Sequence, residues 1–360
     1  MKGKKRFIVL SFLAGVLILA LLVGFSDAGK LREIAHRLEY GWALLGLGSA
    51  VAGLALFSLS FLLVVRAGTG KLSGGHIFRT AFVAFAFDRM FSSWGISGYA
   101  VRGYLFASAG LAYGETLIYT VIYSCIHFLV LLVIFAATVF LFLPALPSGI
   151  GHTAVVAQLV VFTLALAYAV HFLFSPVTRG RWVSAGAYCL NRLALRWRKR
   201  QVVSPETVES FQNILESAVQ SLRSGAPRLI LPLLIEIPAW CAEFFALYSM
   251  FRACGQPVGP GVLISGYVIG AFWVSFLLLP GHLGVLEGSV SGVYALFGIP
   301  FATAVAATVS FRIVSYFIPF LLAFAFVPSL MRQAWSVGLA PRSAPASAPP
   351  TSSPPRSGQT

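Results

Sequence analysis

A chain of 360 residues in which 58% are hydrophobic and only 10% charged, with a mean hydropathy of +0.86, is far from the roughly 25% charged composition of a soluble domain. It reads as a polytopic membrane protein. The formal charge of +15 is concentrated in a few connecting stretches, which points to topology and anionic headgroups and away from a nucleic-acid partner. Cys125, Cys189, Cys241 and Cys254 form no CxxC pair and no regular spacing, so neither a disulfide frame nor a zinc site is indicated, and they read as reduced packing residues.

About 20 apolar residues cross a bilayer. After the basic start Met1-Lys2-Gly3-Lys4-Lys5-Arg6, residues 7–25 make such a run. The run is too long for a signal-peptide core and no A-x-A site follows, so it reads as an uncleaved first span. A mixed-charge loop over 26–40 leads to a second span over 42–65. The Gly68-Thr69-Gly70-Lys71 beyond it lacks the GxxxxGK[ST] spacing and any preceding strand, so it reads as a basic loop rather than a phosphate loop.

Residues 77–106 are apolar but broken by Asp88-Arg89 and by Ser92-Ser93-Trp94-Gly95-Ile96-Ser97-Gly98, with Arg102 four residues later. Spans over 115–143 and 153–174 follow, joined by an uncharged turn at 144–151. The long polar stretch 177–228 carries Arg179, Arg181, Arg192, Arg196, Arg198, Lys199, Arg200, Arg223 and Arg228 against Glu206, Glu209 and Glu216. By the positive-inside rule it is cytoplasmic. Trp182, Leu190, Leu193 and Trp197 share one helical face and Arg192, Arg196 and Lys199 another, the pattern of a helix lying in the headgroup plane. Ser204-Pro205-Glu206 reads as a helix start, with Val208, Phe211, Leu215, Val219 and Leu222 as its apolar face and Gly225 as its stop.

The span over 229–251 holds Pro232 and Pro238, with Glu236 and Glu243 seven residues apart and so on one helical face. The apolar run 261–327 is then broken by Pro280-Gly281-His282-Leu283-Gly284-Val285-Leu286-Glu287-Gly288. Lipid offers no partner to freed backbone groups, so such a break either lines a cavity or forms a tight loop at the interface. Glu287, in the first turn of a half-helix, suits the positive end of the helix dipole, and broken helices are a recurrent way to build transporter sites. Gly284, Gly288 and Gly292, and Gly266 with Gly270, fit close helix approach. The last span, 301–330, places Thr308, Arg312, Ser315 and Pro319 on one face. Residues 1–330 thus form one transmembrane domain, and 331–360 a disordered tail whose Pro, Ser and Ala cannot bury a core.

Charge placement constrains the path. With a cytoplasmic N-terminus, the broken segment 77–106 must return to the cytoplasmic side and 261–299 to the outer side for every basic loop and both termini to be cytoplasmic. Residues 283–297, at about 1.5 Å each, cover about 22 Å against a core of about 30 Å. The expected architecture is all-α: about six spanning helices and two oppositely entered, re-entrant hairpins, a possible inverted repeat.

At these residues the chain resembles the flippase-like transmembrane region of lysylphosphatidylglycerol synthases and its stand-alone relatives, over roughly 7–330. Pro280-Gly281-His282-Leu283-Gly284-Val285-Leu286-Glu287 is similar to the family's PGGxGxxE, and Phe297-Gly298-Ile299-Pro300, Phe311-Arg312 and Pro319 follow in the family's order. Gly98-Tyr99-Ala100-Val101-Arg102 keeps the Gly and Arg of GExxRxxxL with Tyr99 in place of Glu, and Tyr123-Ser124-Cys125-Ile126-His127 stands where ERxxD is common. The resemblance implies lipid translocation or a lipid-linked membrane role without the aminoacylating chemistry, since no soluble transferase domain follows here.

The intramembrane ionisable set is Asp88, Arg89, Arg102, Glu236, Glu243, Glu287 and Arg312. Each costs roughly 2.5 to 3.5 kcal/mol at a helix centre unless paired or hydrated. Arg312 is expected to pair with Glu287 or with an acid of the 229–251 span, and Asp88 and Arg89 to enter ion pairs. The functional reading is a lipid-headgroup site built from Arg102, Glu236, Glu243, Pro280, Gly281, Gly284, Glu287 and Arg312, with phosphate on the arginines and half-helix N-termini. On the opposing reading the pairs only hold helices together. Another alternative is a membrane scaffold acting through the basic loop. A lipid enzyme is disfavoured because no catalytic spacing is present and HExxH is absent. No cofactor is expected. Anionic or zwitterionic phospholipid is the expected partner, with a second copy of the chain and a separate lipid-modifying enzyme as further candidates.

Overall fold

The computed structural model describes residues 28–91, 96–142, 150–198, 203–275 and 284–338. The first apolar run at 7–25, Ser92 to Gly95, the turn at 143–149, Lys199 and Arg200, Pro280 and Gly281, and the chain end from 339 lie outside them. Every regular element among the described residues is helical. In order they are α1 (Ala28–His36), α2 (Tyr40–Gly68), α3 (Gly74–Phe91), α4 (Ile96–Ser108), α5 (Tyr113–Phe142), α6 (Ile150–Phe174), α7 (Pro176–Arg198), α8 (Pro205–Ser224), α9 (Ile230–Ala253), α10 (Pro260–Ser275), α11 (Val285–Leu296), α12 (Phe301–Arg312), α13 (Ile318–Ala323) and α14 (Val327–Gly338). A 3₁₀ turn (Ala226–Leu229) precedes α9, and a π turn (Ile313–Phe317) joins α12 to α13. Five stretches are long and apolar enough to span: Tyr40–Gly68, Tyr113–Phe142, Val155–Phe172, Pro227–Ala253 and Phe301–Arg332.

The spine of the bundle is α2 against α9, and small residues set its geometry. Ser49 Oγ donates to the Ala242 carbonyl at 2.8 Å, Ser60 Oγ to the Pro232 carbonyl at 3.3 Å, and the Glu39 amide to the Ala253 carbonyl at 3.0 Å. Residue numbers rise on one helix as they fall on the other, so the pair is antiparallel. A Cβ at Gly53 would lie 3.3 Å from the Ala239 carbonyl oxygen. Backbones this close gain packing and short hydrogen bonds, the terms that hold helices together where the hydrophobic effect is absent.

Each spine helix is followed by the same unit. α3 and α4 form a two-armed hairpin after α2, and α10 and α11 form one after α9. Both hairpins end in a Schellman stop: Leu111 N donates to Phe106 O and Gly110 N to Ala107 O, as Ile299 N does to Tyr294 O and Gly298 N to Ala295 O. The residue that must turn left-handed is glycine in both, Gly110 at φ 92 and Gly298 at φ 86. Three residues later α5 and α12 begin. At about 1.5 Å per residue the 12-residue α11 is about 18 Å long and the 13-residue α4 about 20 Å, both shorter than a hydrocarbon core of about 30 Å.

Three expectations change here. The last span is not a single straight helix: the π turn inserts after Arg312, and turn residues Phe324, Ala325 and Phe326 separate α13 from α14. Helix α14 also runs to Gly338, past the expected boundary at 330, because Leu330 is buried with Phe82 and Leu105 of the first hairpin. Gly266 and Gly270 do mark close approach, to the Tyr294 ring and the Val290 backbone, but Gly292 faces open space. Gly284 instead starts α11 at φ 78.

The polar stretch folds partly onto the bundle. Ser204 Oγ accepts from the Thr207 amide at 3.2 Å as the helix start requires, and α8 ends at Ser224, just before Gly225. Leu215 and Val219 of α8 are buried with Ile118 and Ile122 of α5, and Arg179 pairs with Glu216. Trp182 and Leu190 of α7 stay exposed, as does Arg192. All four cysteines are free, yet Cys189 and Cys241 are exposed, so packing describes only Cys125 and Cys254.

Candidate functional site

Burial of charge defines the site. Glu236, Glu243, Glu287, Arg102 and Arg312 are all at most 4% exposed, at 0%, 3%, 3%, 2% and 4%. Ionised groups in such places must find partners, because their desolvation costs several kcal/mol each.

Glu287 stands in the first turn of α11, where Gly284 opens the helix and the dipole favours an anion. Its Oε1 lies 3.0 Å from Nη1 of Arg312, at the end of α12. This is the pairing expected from the sequence. The Arg312 guanidinium also stacks 4.9 Å from the Tyr316 ring centroid. The pair borders a cavity of about 20 Å³ shared with Tyr267, Thr308 and Tyr316, room for about one water.

Arg89, at the end of α3, reaches across to α9 and the π turn. Its Nη2 donates to Glu243 Oε2 at 3.1 Å and its Nη1 to the Ser315 carbonyl at 3.1 Å. The guanidinium rests against Phe57 and Tyr316 at 5.6 and 5.9 Å. A π turn frees carbonyls from the usual ladder, and here one of them is used to hold a cation. Tyr316 thus touches both Arg89 and Arg312. The adjacent Asp88 does something else: its Oδ1 accepts from Ser97 Oγ at 2.9 Å and from the Gly98 amide at 3.3 Å. It caps the start of α4 and ties the two arms of the first hairpin.

Glu236, one face of α9 with Glu243, meets α5 instead. Its Oε2 is 2.8 Å from His127 Nδ1, which is also 3.4 Å from the Tyr123 hydroxyl. Trp240 Nε1 donates to the His127 carbonyl at 3.2 Å. The imidazole is boxed by Trp240, Phe57 and Tyr123 at 4.7, 4.9 and 5.6 Å between ring centroids. Neither Tyr123 nor His127 stood among the site residues expected from the sequence. The available signal was arithmetic: Glu236 sits in an apolar helix and needs a partner, and His127 is an ionisable group in the middle of another span.

Arg102 on α4 is the exception. Its guanidinium lies between Phe61 and Phe85, 5.0 and 4.9 Å from their centroids. Among the described residues no carboxylate pairs with it, and its Nε and Nη1 have no hydrogen-bond partner. Tyr123 packs on the same two rings, at 5.4 and 5.0 Å, and so links Arg102 to the His127–Glu236 pair. The structure therefore gathers Arg89, Arg102, Glu236, Glu243, Glu287 and Arg312 into one interior belt contributed by both hairpins, the spine helix α9 and α12 of the last span. Pro280 and Gly281 lie outside the described residues, and Gly284 serves the start of α11.

Fold and site together define an all-α polytopic integral membrane protein with an internal charge belt. The chain belongs to the family described as the Lysylphosphatidylglycerol synthase TM region, which it matches over residues 8–323. A UPF0104 membrane protein of Methanothermobacter thermautotrophicus is 23% identical over 318 residues, covering 87% of this chain and 93% of that one. Another UPF0104 membrane protein of the same organism is 36% identical over 90 residues, 24% of this chain and 25% of its own.

Proposed function

We propose that the protein translocates a phospholipid, or another lipid-linked anionic substrate, between the leaflets of the cell membrane, with its basic loops and both termini on the cytoplasmic side. The observation that carries this reading is Arg102: a guanidinium 2% exposed, stacked between two phenylalanines and hydrogen-bonded to no acid among the described residues, since Asp88, the carboxylate whose charge reaches it, is bonded to Ser97 and Gly98. A buried cation with no acid bonded to it is costly, and a lipid phosphate supplies that partner in the bidentate geometry that guanidinium favours. The acyl chains remain in the bilayer.

Arg312 and Glu287 form a second, self-neutralised position. A zwitterionic headgroup can replace both partners at once, phosphate on Arg312 and amine on Glu287, so opening the pair costs no net charge. The repeated order of spine helix, hairpin, Schellman stop and span, with antiparallel spine helices, supports an inverted repeat whose two short-armed hairpins enter from opposite faces. Alternation of two such halves about the belt is the transport step.

Reconstitution in vesicles of phosphatidylglycerol and phosphatidylethanolamine tests the reading. Fluorescent headgroup-proximal phosphatidylglycerol is exposed to a membrane-impermeant reductant. Bleaching of the inner-leaflet pool in protein-containing vesicles is expected. Bleaching confined to the outer leaflet for every lipid tried would sink it.

A further inference from the structure

We propose that His127 and Glu236 form the binding site of a transported proton, and that this proton drives the movement of the lipid. The coupling rests on the translocation reading; the proton site does not. The two groups lie 2.8 Å apart, Nδ1 to Oε2, on α5 and α9. Glu236 is fully buried and its Oε1 has no hydrogen-bond partner. His127 keeps 21% of its side chain open.

The charges around the pair leave this role to it. From α3, Arg89 faces it but is held by Glu243 of α9 and the Ser315 carbonyl. From α5 itself, Tyr123 touches the imidazole and also interacts with Glu236. From α4, Arg102 lies across Phe61 and Phe85 from Tyr123. From α10, Tyr267 stands against Phe244 and Phe311 and interacts with Glu243 and Arg89. From α2, Phe57 brings only an aromatic ring. The Arg312–Glu287 pair is already balanced. Arg102 is kept from Glu236 by Tyr123 and the two phenylalanine rings, so no cation other than the imidazole is hydrogen-bonded to Glu236, and an acid with its imidazole partner shares one proton at net charge zero.

A second proton makes the pair imidazolium and carboxylic acid, net +1; its release returns the pair to zero. One proton enters and one leaves, with no other reactant. Imidazole is the side chain whose ordinary titration falls in the physiological range. A lipid phosphate at Arg102 favours the second proton, and by linkage the proton favours the phosphate to the same degree. The two cargoes carry opposite charges, so their joint crossing moves no net charge across the membrane.

Two measurements on the full-length protein test this. Infrared difference spectra between about pH 5 and pH 8 are expected to show a carboxylic-acid band that is absent in Glu236→Gln and displaced in His127→Gln, whose amide keeps a donor toward Glu236. Identical bands in wild type and both variants would overturn the site. In the vesicles above, with an internal pH dye, a one-unit gradient coupled at one proton per lipid shifts the leaflet distribution of labelled phosphatidylglycerol by up to about tenfold. That ratio is expected to fall to about one in His127→Gln and Glu236→Asp, whatever their basal rates. Lipid movement indifferent to the gradient in wild type would overturn the coupling and leave translocation standing. Gradient-driven proton entry without lipid movement would support the proton site and sink translocation instead.

Discussion

Arg312 and Glu287 show what a buried ion pair does at the level of one residue. Removing one partner leaves the other charge desolvated and alone, which costs about 3–5 kcal/mol, whereas replacing both by apolar groups of similar size is close to neutral. Arg312→Met alone and Glu287→Leu alone should therefore each lower the thermal unfolding midpoint in detergent, and the double variant should recover most of the loss. Additive losses would show that the pair, 3.0 Å apart, is not energetically coupled. This pair was legible in the sequence because two opposite charges in apolar runs have few other choices. The role of Asp88 was not. Neighbouring residues on a helix point about 100° apart, so Asp88 and Arg89 diverge, one to the Gly98 amide and the other to Glu243. Nothing in local spacing tells which distant element each one meets. His127 escaped for the same reason: its partner is 109 residues away.

At the scale of elements, the second hairpin depends on how closely its arms approach. A Cβ at Gly270 would lie 2.6 Å from the Val290 Cα and 3.0 Å from its amide nitrogen, atoms that cannot yield without parting α10 from α11. Tyr294, whose hydroxyl donates to the Leu263 carbonyl at 2.7 Å, locks the same interface. Gly270→Ala should lower the unfolding midpoint and the yield of folded protein. Gly292→Ala, with nothing within 4 Å, should raise stability by up to about 1 kcal/mol through helix propensity alone. Equal effects of the two would contradict the packing described. Spacing alone could mark both glycines as small-residue contacts; only the facing helix distinguishes them. Helix positions themselves were readable, since apolar length and polar breaks determine them. The π turn after Arg312 was not, because it answers a tertiary demand, the Arg89 guanidinium at the Ser315 carbonyl.

For the whole molecule, the four cysteines provide a built-in map of sidedness. Cys189 is exposed on α7, within the basic stretch. Cys241 is exposed on the spanning helix α9, and Cys125 is half-buried on α5. Cys254, past the end of α9, is half-buried, and burial pushes its thiol up to about 11, which leaves little thiolate near neutral pH. A membrane-impermeant maleimide should therefore label Cys189 first, and should do so in inside-out vesicles but not in sealed right-side-out ones. Labelling of Cys189 in right-side-out vesicles would place α7 outside and reverse the orientation that the positive charge implies.

The belt of Arg89, Arg102, Glu236, Glu243, Glu287 and Arg312 joins these scales, and Arg102 is the member that separates a transport site from a set of helix staples. A staple is hydrogen-bonded to its counter-charge; Arg102, among the described residues, is not, the Asp88 carboxylate that acts on it being bonded to Ser97 and Gly98. Its most direct test is phosphatidylglycerol movement by Arg102→Met in reconstituted vesicles, with the unfolding midpoint measured on the same preparation. Loss of a charge-assisted contact worth about 1.5–3 kcal/mol should slow lipid movement roughly tenfold to a hundredfold, while the midpoint holds or rises because a buried charge with no bonded acid has gone. Unchanged lipid movement in a folded Arg102→Met protein would contradict the account.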